Sequence, residues 1–510
     1  MTGKRIKRYK EVLLLMCLFI LFSVLSGCDS SDDISSLSGE SGNNKEAVIP
    51  VSVAMYSAES LDPYTTKNMT NRNIISLCYP GLFTLDSSWT AVPFLAEEFS
   101  FSGNMITISI SGQAFFSDGS PVTAADCVFS FDKAKEDSSV FSSRFSYIQS
   151  YSAVSEKQFL VEFSTVSANN VNLLDIPIVK SETDGSVGAG AYVLKLSPSS
   201  DGSDGFSLYP NVYFLLKDIS SAEKIDIIKY ETQEEMLYAF NYGSVHAMYA
   251  DISLGKEKYR GNTELSSFTT NNFVFAYINP TSRFFSNRAE VSRGITYAIN
   301  RSEIASDVFG GEVSAVWFPF NPTWEKTVLA QLNDDIYSED LARTSFYNAR
   351  LYVNNGVLEW FGEPVKIRII VNNDSFSKVE VAMKIAEQLN EFGFDAIVET
   401  LPWEKYLVAV EEGNYDIYIA EIKMPPNMDV FSVESALGVE FSPEMKEAVV
   451  LFNEGKIDML EFMSVFSSEM PFIPLYYTKG ALALNRSVKG LFAPSENNLF
   501  FNIDEWRVEP

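Results

Sequence analysis

The distribution of apolar positions separates the chain into stretches of period two and stretches of helical period. Residues 48–56, VIPVSVAMY, form a nearly continuous apolar run, as a strand buried on both faces does. ITISISG (106–112) alternates apolar and polar residues and predicts a strand with one wet face. PVTAADCVFSFDKAKE (121–136) has helical spacing, with Thr123 as N-cap and Asp126 three residues on, the capping-box pattern. Further helices are predicted over QEEMLYAFNYG, RAEVSRGITYAINRSEIASDVFGG, EDLARTSFYNARLYVNNG and SKVEVAMKIAEQLNEFG. Gly310-Gly311 supply the C-cap of the second of these.

Two segments repeat one supersecondary unit. EEMLYAFNYGSVHAMYA (234–250) and EKYLVAVEEGNYDIYIA (404–420) each run helix, glycine, a few residues, then a short apolar strand. Strands alternating with helices of this length predict α/β lobes with helices on the sheet faces. Two such lobes leave a cleft between them, a common place for a small-ligand site.

The N-terminal region follows a different pattern. Lys4, Arg5, Lys7, Arg8 and Lys10 precede Val12–Leu25, apolar apart from Ser23. Fourteen helical residues rise about 21 Å, short of the roughly 30 Å hydrocarbon core of a bilayer. This is the size of a signal-peptide core behind a basic start. Leu25-Ser26-Gly27-Cys28 resembles the lipobox of bacterial lipoproteins, in which the cysteine is diacylglycerylated and becomes the new N-terminus. Two acyl chains anchor stably where one does not. The expectation is therefore a signal peptide over 1–27, lipid at Cys28, and a location on the outer face of the cytoplasmic membrane. Residues 28–47, rich in Ser and Asp, hold too little apolar surface to fold and are expected to act as a tether.

Composition narrows the function. The formal net charge of −28 argues against a nucleic-acid or anionic-lipid partner. The only histidine, His246, has no metal-ligand spacing to a cysteine, and no nucleophile elbow, zincin, Walker A or dinucleotide motif occurs. No enzyme activity, metal site or cofactor is therefore expected. GSVGAG (185–190) precedes a strand-like AYVLKL and is expected to be a tight turn. Cys78 and Cys127 lie in apolar contexts, either as a disulfide or as two buried thiols. Aromatic residues make up 14% of the chain, enough to line a cleft as well as fill a core.

Several motifs in order resemble the extracellular solute-binding proteins of family 5, the peptide/nickel-type receptors of ABC importers. They are Leu61-Asp62-Pro63, Gly81-Leu82, Pro93-Phe94-Leu95-Ala96-Glu97, FFSDGSPVTAADCVFSFDKAK (115–135), GAGAY (188–192), EVSRGITYAINRSEI (290–304) and MPFIPLYYTKGALALNRSVKGL (470–491). The resemblance implies a two-lobed α/β fold of the type II periplasmic-binding-protein class with an extra subdomain. It implies lobe 1 from 48–82, 176–270 and 478–510, the subdomain at 83–175, and lobe 2 at 271–477. It also implies a monomer that captures a peptide or peptide-like solute and delivers it to ABC permease transmembrane subunits. The alternative is a surface sensor or interaction protein on the same fold that has lost transport.

The sequence departs from the family pattern after YDIYIA. Where peptide binders resemble Gly-Trp-x-x-Asp, with the Asp pairing the ligand ammonium, this chain has Glu421-Ile422-Lys423-Met424-Pro425-Pro426-Asn427-Met428-Asp429. Either Glu421 or Asp429 is left as the ammonium anchor. The ligand site is expected at the first strand end (Tyr56, Ser57, Ala58, Glu59) and at Glu421, Ile422, Lys423, Met424 and Asp429, with Trp403 as an aromatic wall. Tyr56 and Trp403 fit a core role equally well. Mass spectrometry of the protein from its host is expected to find an N-terminus at Cys28 carrying a diacylglyceryl mass, absent in Cys28→Ala. An unmodified cysteine or an intact Met1 end would contradict the attachment.

Overall fold

The computed structural model describes residues 49–509 apart from 58–59, 199–203, 220–221, 256–257, 283, 286–288, 333–335 and 439. Cys28 and the segments before residue 49 lie outside the described residues, as do Ala58 and Glu59.

Eleven strands among these residues form one sheet. Its order from one edge is Asp395–Leu401, Lys366–Asn372, Ile417–Lys423, Thr263–Ile278, Ile473–Asn485, Ala247–Asp251, Val51–Tyr56, Ile225–Tyr230, Asp204–Pro210 and Tyr192–Pro198. Val313–Ala315 adds to Ile473–Asn485. The two central strands, of 16 and 13 residues, are antiparallel and run through both lobes.

Either side of them the sheet repeats itself. In one lobe Val51–Tyr56 lies parallel between Ile225–Tyr230 and Ala247–Asp251. In the other, Lys366–Asn372 lies parallel between Asp395–Leu401 and Ile417–Lys423. The repeated sequence unit supplies the inner strand of each set. Helices Gln233–Asn241 and Trp403–Glu411 close through Gly243 and Gly413, at φ 76° and 66°, into Ala247–Asp251 and Ile417–Lys423. The left-handed φ is what a glycine permits after a helix.

Alternation along each strand builds two cores per lobe. Val51, Val53 and Met55 pack with Leu482 and Leu484 on one face, and Ala54 with Met236, Met248 and Ala483 on the other. In the second lobe Ile367, Ile369 and Val371 face Ile385 and Leu389, while Ile370, Phe273, Phe275 and Tyr418 join an aromatic core with Phe462 and Phe472. A separate four-stranded antiparallel sheet, Ala96–Ser102, Met105–Ile110, Gln158–Phe163 and Ile148–Ser155, packs on helix Ala124–Ala134. There the Asp126 carboxylate accepts the Thr123 N–H at 2.8 Å, and ITISISG alternates as its pattern requires.

Two helix assignments are corrected. The run 288–311 is broken by Asn300, whose side chain accepts the Glu303 N–H and starts a second helix, Arg301–Phe309, after Ala289–Ala298. The helix expected through 356 stops at Asn348, because Asn355-Gly356, at φ 50° and 84°, turns a hairpin in which Asn354 faces Val357. Cys78 and Cys127 are free thiols in separate cores, and burial pushes Cys78 up to about 12.

The crossing between lobes carries a register break between Thr269 and Phe273. Asn271, fully buried, fills it with hydrogen bonds. Its backbone N–H donates to Glu496, its carbonyl accepts the Met424 N–H at 2.9 Å, and its Nδ2 donates to the Met424 carbonyl at 2.8 Å. Asn321 donates to its Oδ1 at 3.1 Å and to the Thr270 carbonyl at 2.9 Å. Asn271→Ala is expected to cost about 1–3 kcal/mol for each buried partner left unpaired, measured as a fall in urea midpoint at unchanged slope.

His246 Nδ1 lies 3.1 Å from the Ser52 N–H, which donates to it, and 2.8 Å from the Ser52 hydroxyl. Burial pushes its pKa down from the ordinary value. A folded pKa below the unfolded one, about 6.5, gives stability that is complete above that pH and is lost as pH falls through the folded value. Urea melts at pH 7.5 and 5.5 should therefore show a larger acid loss in the wild type than in His246→Asn. Equal losses would contradict this role.

Candidate functional site

A cavity of about 840 Å³ lies between the lobes. This is within the range of small-ligand sites. One wall comes from helix Met69–Ser76, the strand Phe83–Leu85, the turn around Ser142–Ser146, and segments 190–192, 214–219 and 496–504. The other comes from 423–426 and 432–436 of the second lobe. Gly190 lets the first wall close up, since a Cβ there would collide with the Leu77 carbonyl and lie 2.7 Å from Cys78 Cα.

The lining is rich in aromatic side chains: Phe83, Trp89, Phe94, Phe141, Tyr147 and Phe214. Trp89 is buried and also joins the aromatic core of the second lobe, so the wall and that core are continuous. Phe94 and Phe214 lie 6.2 Å apart between ring centres. Arg144 and Arg72 lie over the Phe141 ring at 4.7 and 5.8 Å. Such faces attract cations and give an amphipathic ligand broad contact.

Among the described residues, four cations and three carboxylates line the cavity. Arg144 pairs with Asp175, Lys217 with Asp504 at 2.9 Å, and Lys423 with Glu496. The Lys423–Glu496 pair spans the two lobes and ends on the side chain that receives the Asn271 N–H. The cavity thus touches the crossing through Glu496 on one wall and Met424 on the other. Arg72 has no carboxylate within ion-pair distance among the described residues. Burial pushes its guanidinium down, and Arg144 acts in the same direction, while Glu496 and Asp175 oppose them.

Of the residues singled out in the sequence, Lys423 and Met424 line this cavity. Tyr56 is half-buried at the end of its strand, exchanging backbone hydrogen bonds with the Asn71 side chain, both at 2.9 Å. Ser57 is exposed and donates its N–H to the Tyr230 carbonyl. Trp403 starts helix Trp403–Glu411, stacked on Tyr406 at 5.8 Å and 48% exposed. Glu421 pairs with Lys378 at 3.1 Å, and Ile422 packs against the aromatic core. None of these lines the cavity.

Asp429 also stands outside the lining. It is buried and accepts from Asn453 Nδ2 at 3.0 Å, the Phe431 N–H at 3.2 Å and the Tyr147 hydroxyl. Burial pushes its carboxyl up, against those hydrogen bonds. The segment before it is braced from the subdomain: Asn172 donates to the Pro426 carbonyl at 3.3 Å, and Asn427 donates to Asn170 at 3.1 Å. Arg72, Phe141, Tyr147 and Glu496 were not singled out in the sequence, because no local pattern joins residues from opposite ends of a chain. The one signal available was an arginine amid the polar side chains of TNRN.

The family model for bacterial extracellular solute-binding proteins, family 5, middle, matches residues 90–437. The oligopeptide-binding protein OppA of Bacillus subtilis is 19% identical over 500 residues, 87% of this chain and 90% of that protein. The oligopeptide-binding protein AppA of the same organism is 20% identical over 254 residues, 46% of either chain. The crystal structure of an ABC transporter substrate-binding protein from Sinorhizobium meliloti aligns over 90% of this chain and all of its own, with a TM-score of 0.73 and 17% identity. That of B. subtilis AppA with a nonapeptide covers 90% of this chain and 99% of its own, with a TM-score of 0.61 and 15% identity. The two-lobed fold is thus that of the solute-binding proteins, and the chain belongs to the bacterial extracellular solute-binding proteins of family 5.

Proposed function

We propose that this protein is the lipid-anchored receptor of an ABC importer, and that it captures peptides or peptide-like solutes in the interlobe cavity for delivery to the permease. The observation that carries this reading is the cavity itself: an aromatic-lined space of about 840 Å³ whose walls come from both lobes. A solute held there touches both walls at once. Only a ligand that binds one arrangement of the lobes better than another can drive closure, and contacts from both sides supply that difference. The Thr269–Phe273 register break, where two strands cross, is the hinge in this reading, with lobe 2 spanning 271–477 and lobe 1 spanning 48–82, 176–270 and 478–510 with its subdomain at 83–175. Hinge closure then reports loading to the permease.

The oligopeptide-binding relatives support a peptide as the solute class. The lipobox-like Cys28 holds the receptor on the outer face of the cytoplasmic membrane, within reach of the permease. No helix among the described residues is long and apolar enough to cross a membrane. Native mass spectrometry of protein taken from its host is expected to find a co-purifying small solute. A peptide pool should raise the melting temperature of the emptied protein. Absence of both would overturn the transport reading in favour of a sensor or interaction protein.

A further inference from the structure

The charge pattern of the cavity restricts which peptide-like solutes fit. Each of its three carboxylates is already engaged at both oxygens. Asp175 faces both terminal nitrogens of Arg144. Asp504 takes Lys217 at 3.1 and 2.9 Å. Glu496 takes Lys423 on one oxygen and the Asn271 N–H on the other. Among the described residues, an α-ammonium entering this space therefore meets only carboxylates already paired with a cation of this chain, and it meets Arg72, which forms no ion pair of its own. An ionised group taken from water into a site without a counter-charge is strongly disfavoured.

For an anion the balance is reversed. Arg72 lines the cavity over the Phe141 face with no carboxylate at ion-pair distance among the described residues, and a guanidinium is matched in geometry to a carboxylate. Two further groups in the lining have buried polar atoms without hydrogen-bond partners among the described residues, Asn497 Nδ2 and the Tyr192 hydroxyl. Both can donate to an oxygen. One cation in excess among the described lining residues matches a single negative charge, a carboxylate rather than a phosphate monoester of −1.5 to −2.

We propose that the cavity selects peptide-like carboxylates whose amino end is blocked, such as N-acylated peptides, with Arg72 as the counter-charge of the carboxylate and the aromatic walls receiving the body. This rests on the peptide reading above and narrows it. It also accounts for the lost glycine–tryptophan–aspartate pattern after residue 420: Glu421 is paired with Lys378 and Asp429 is buried in its own hydrogen bonds. Neither is offered to an ammonium.

Calorimetry on the full chain tests this with matched tripeptide pools whose amino end is free or acetylated and whose carboxyl end is free or amidated. The acetylated pool with a free carboxylate is expected to bind best. Amidation should weaken it about tenfold to a hundredfold, the range of a charge-assisted hydrogen bond. Arg72→Gln should erase that difference and Arg72→Lys should keep part of it. The wild-type comparison decides even if a variant does not fold. Equal binding of acetylated and free-amine pools, or of carboxylate and amide pools, overturns the inference and leaves the peptide reading intact. Binding of none of the pools overturns both.

Discussion

The structure depends on how two strands pass from one lobe to the other at Thr269–Phe273. Backbone groups leave the regular ladder there, in a place closed to water, and every one of them needs a partner. Asn271 resolves this by joining three separated segments: Met424 at the end of one strand, Asn321 on a loop, and Glu496 near the C-terminus. The low local dielectric that would penalise an unpaired group strengthens these bonds. The crossing is consequently a fixed point about which both halves of the sheet are built.

The same bonds tie the crossing to the cavity. Glu496 and Met424 hold Asn271 from one side and line the ligand space on the other. In the proposed reading, a solute that pulls Lys423 or Glu496 acts within one residue of the point about which the lobes turn. Small shifts there are amplified because packed interfaces hold discrete arrangements. The braces from Asn170, Asn172 and Tyr147 to residues 426–429 add a second contact between the subdomain and the far wall.

Local pattern made much of the fold legible. The helix–glycine–strand repeat placed corresponding strands on both sides of the crossing, since hydrophobic period and a left-handed glycine are local properties. The same local logic would have located the hairpin at Asn355-Gly356, a dipeptide suited to two left-handed residues in succession; helical spacing upstream of it masked the signal. Asn300 was hidden likewise, its capping role overridden in the reading by an unbroken apolar stripe. The cavity was a different problem. Lys423 and Met424 were found because a motif ended there. Arg72, Phe141 and Glu496 meet only through tertiary packing, and an arginine's lack of a partner is a property of what surrounds it. Glu421 and Asp429 were singled out for their charge, which Lys378 and the Asn453–Tyr147 bonds take up.

In the proposed reading, solute capture in this cavity turns one lobe against the other about the Asn271 crossing. Small-angle scattering of the emptied protein, with and without a saturating solute recovered from its host, measures this most directly. A smaller radius of gyration is expected in the loaded protein, with the change reduced by Asn271→Ala. Identical scattering curves with the solute demonstrably bound would contradict it.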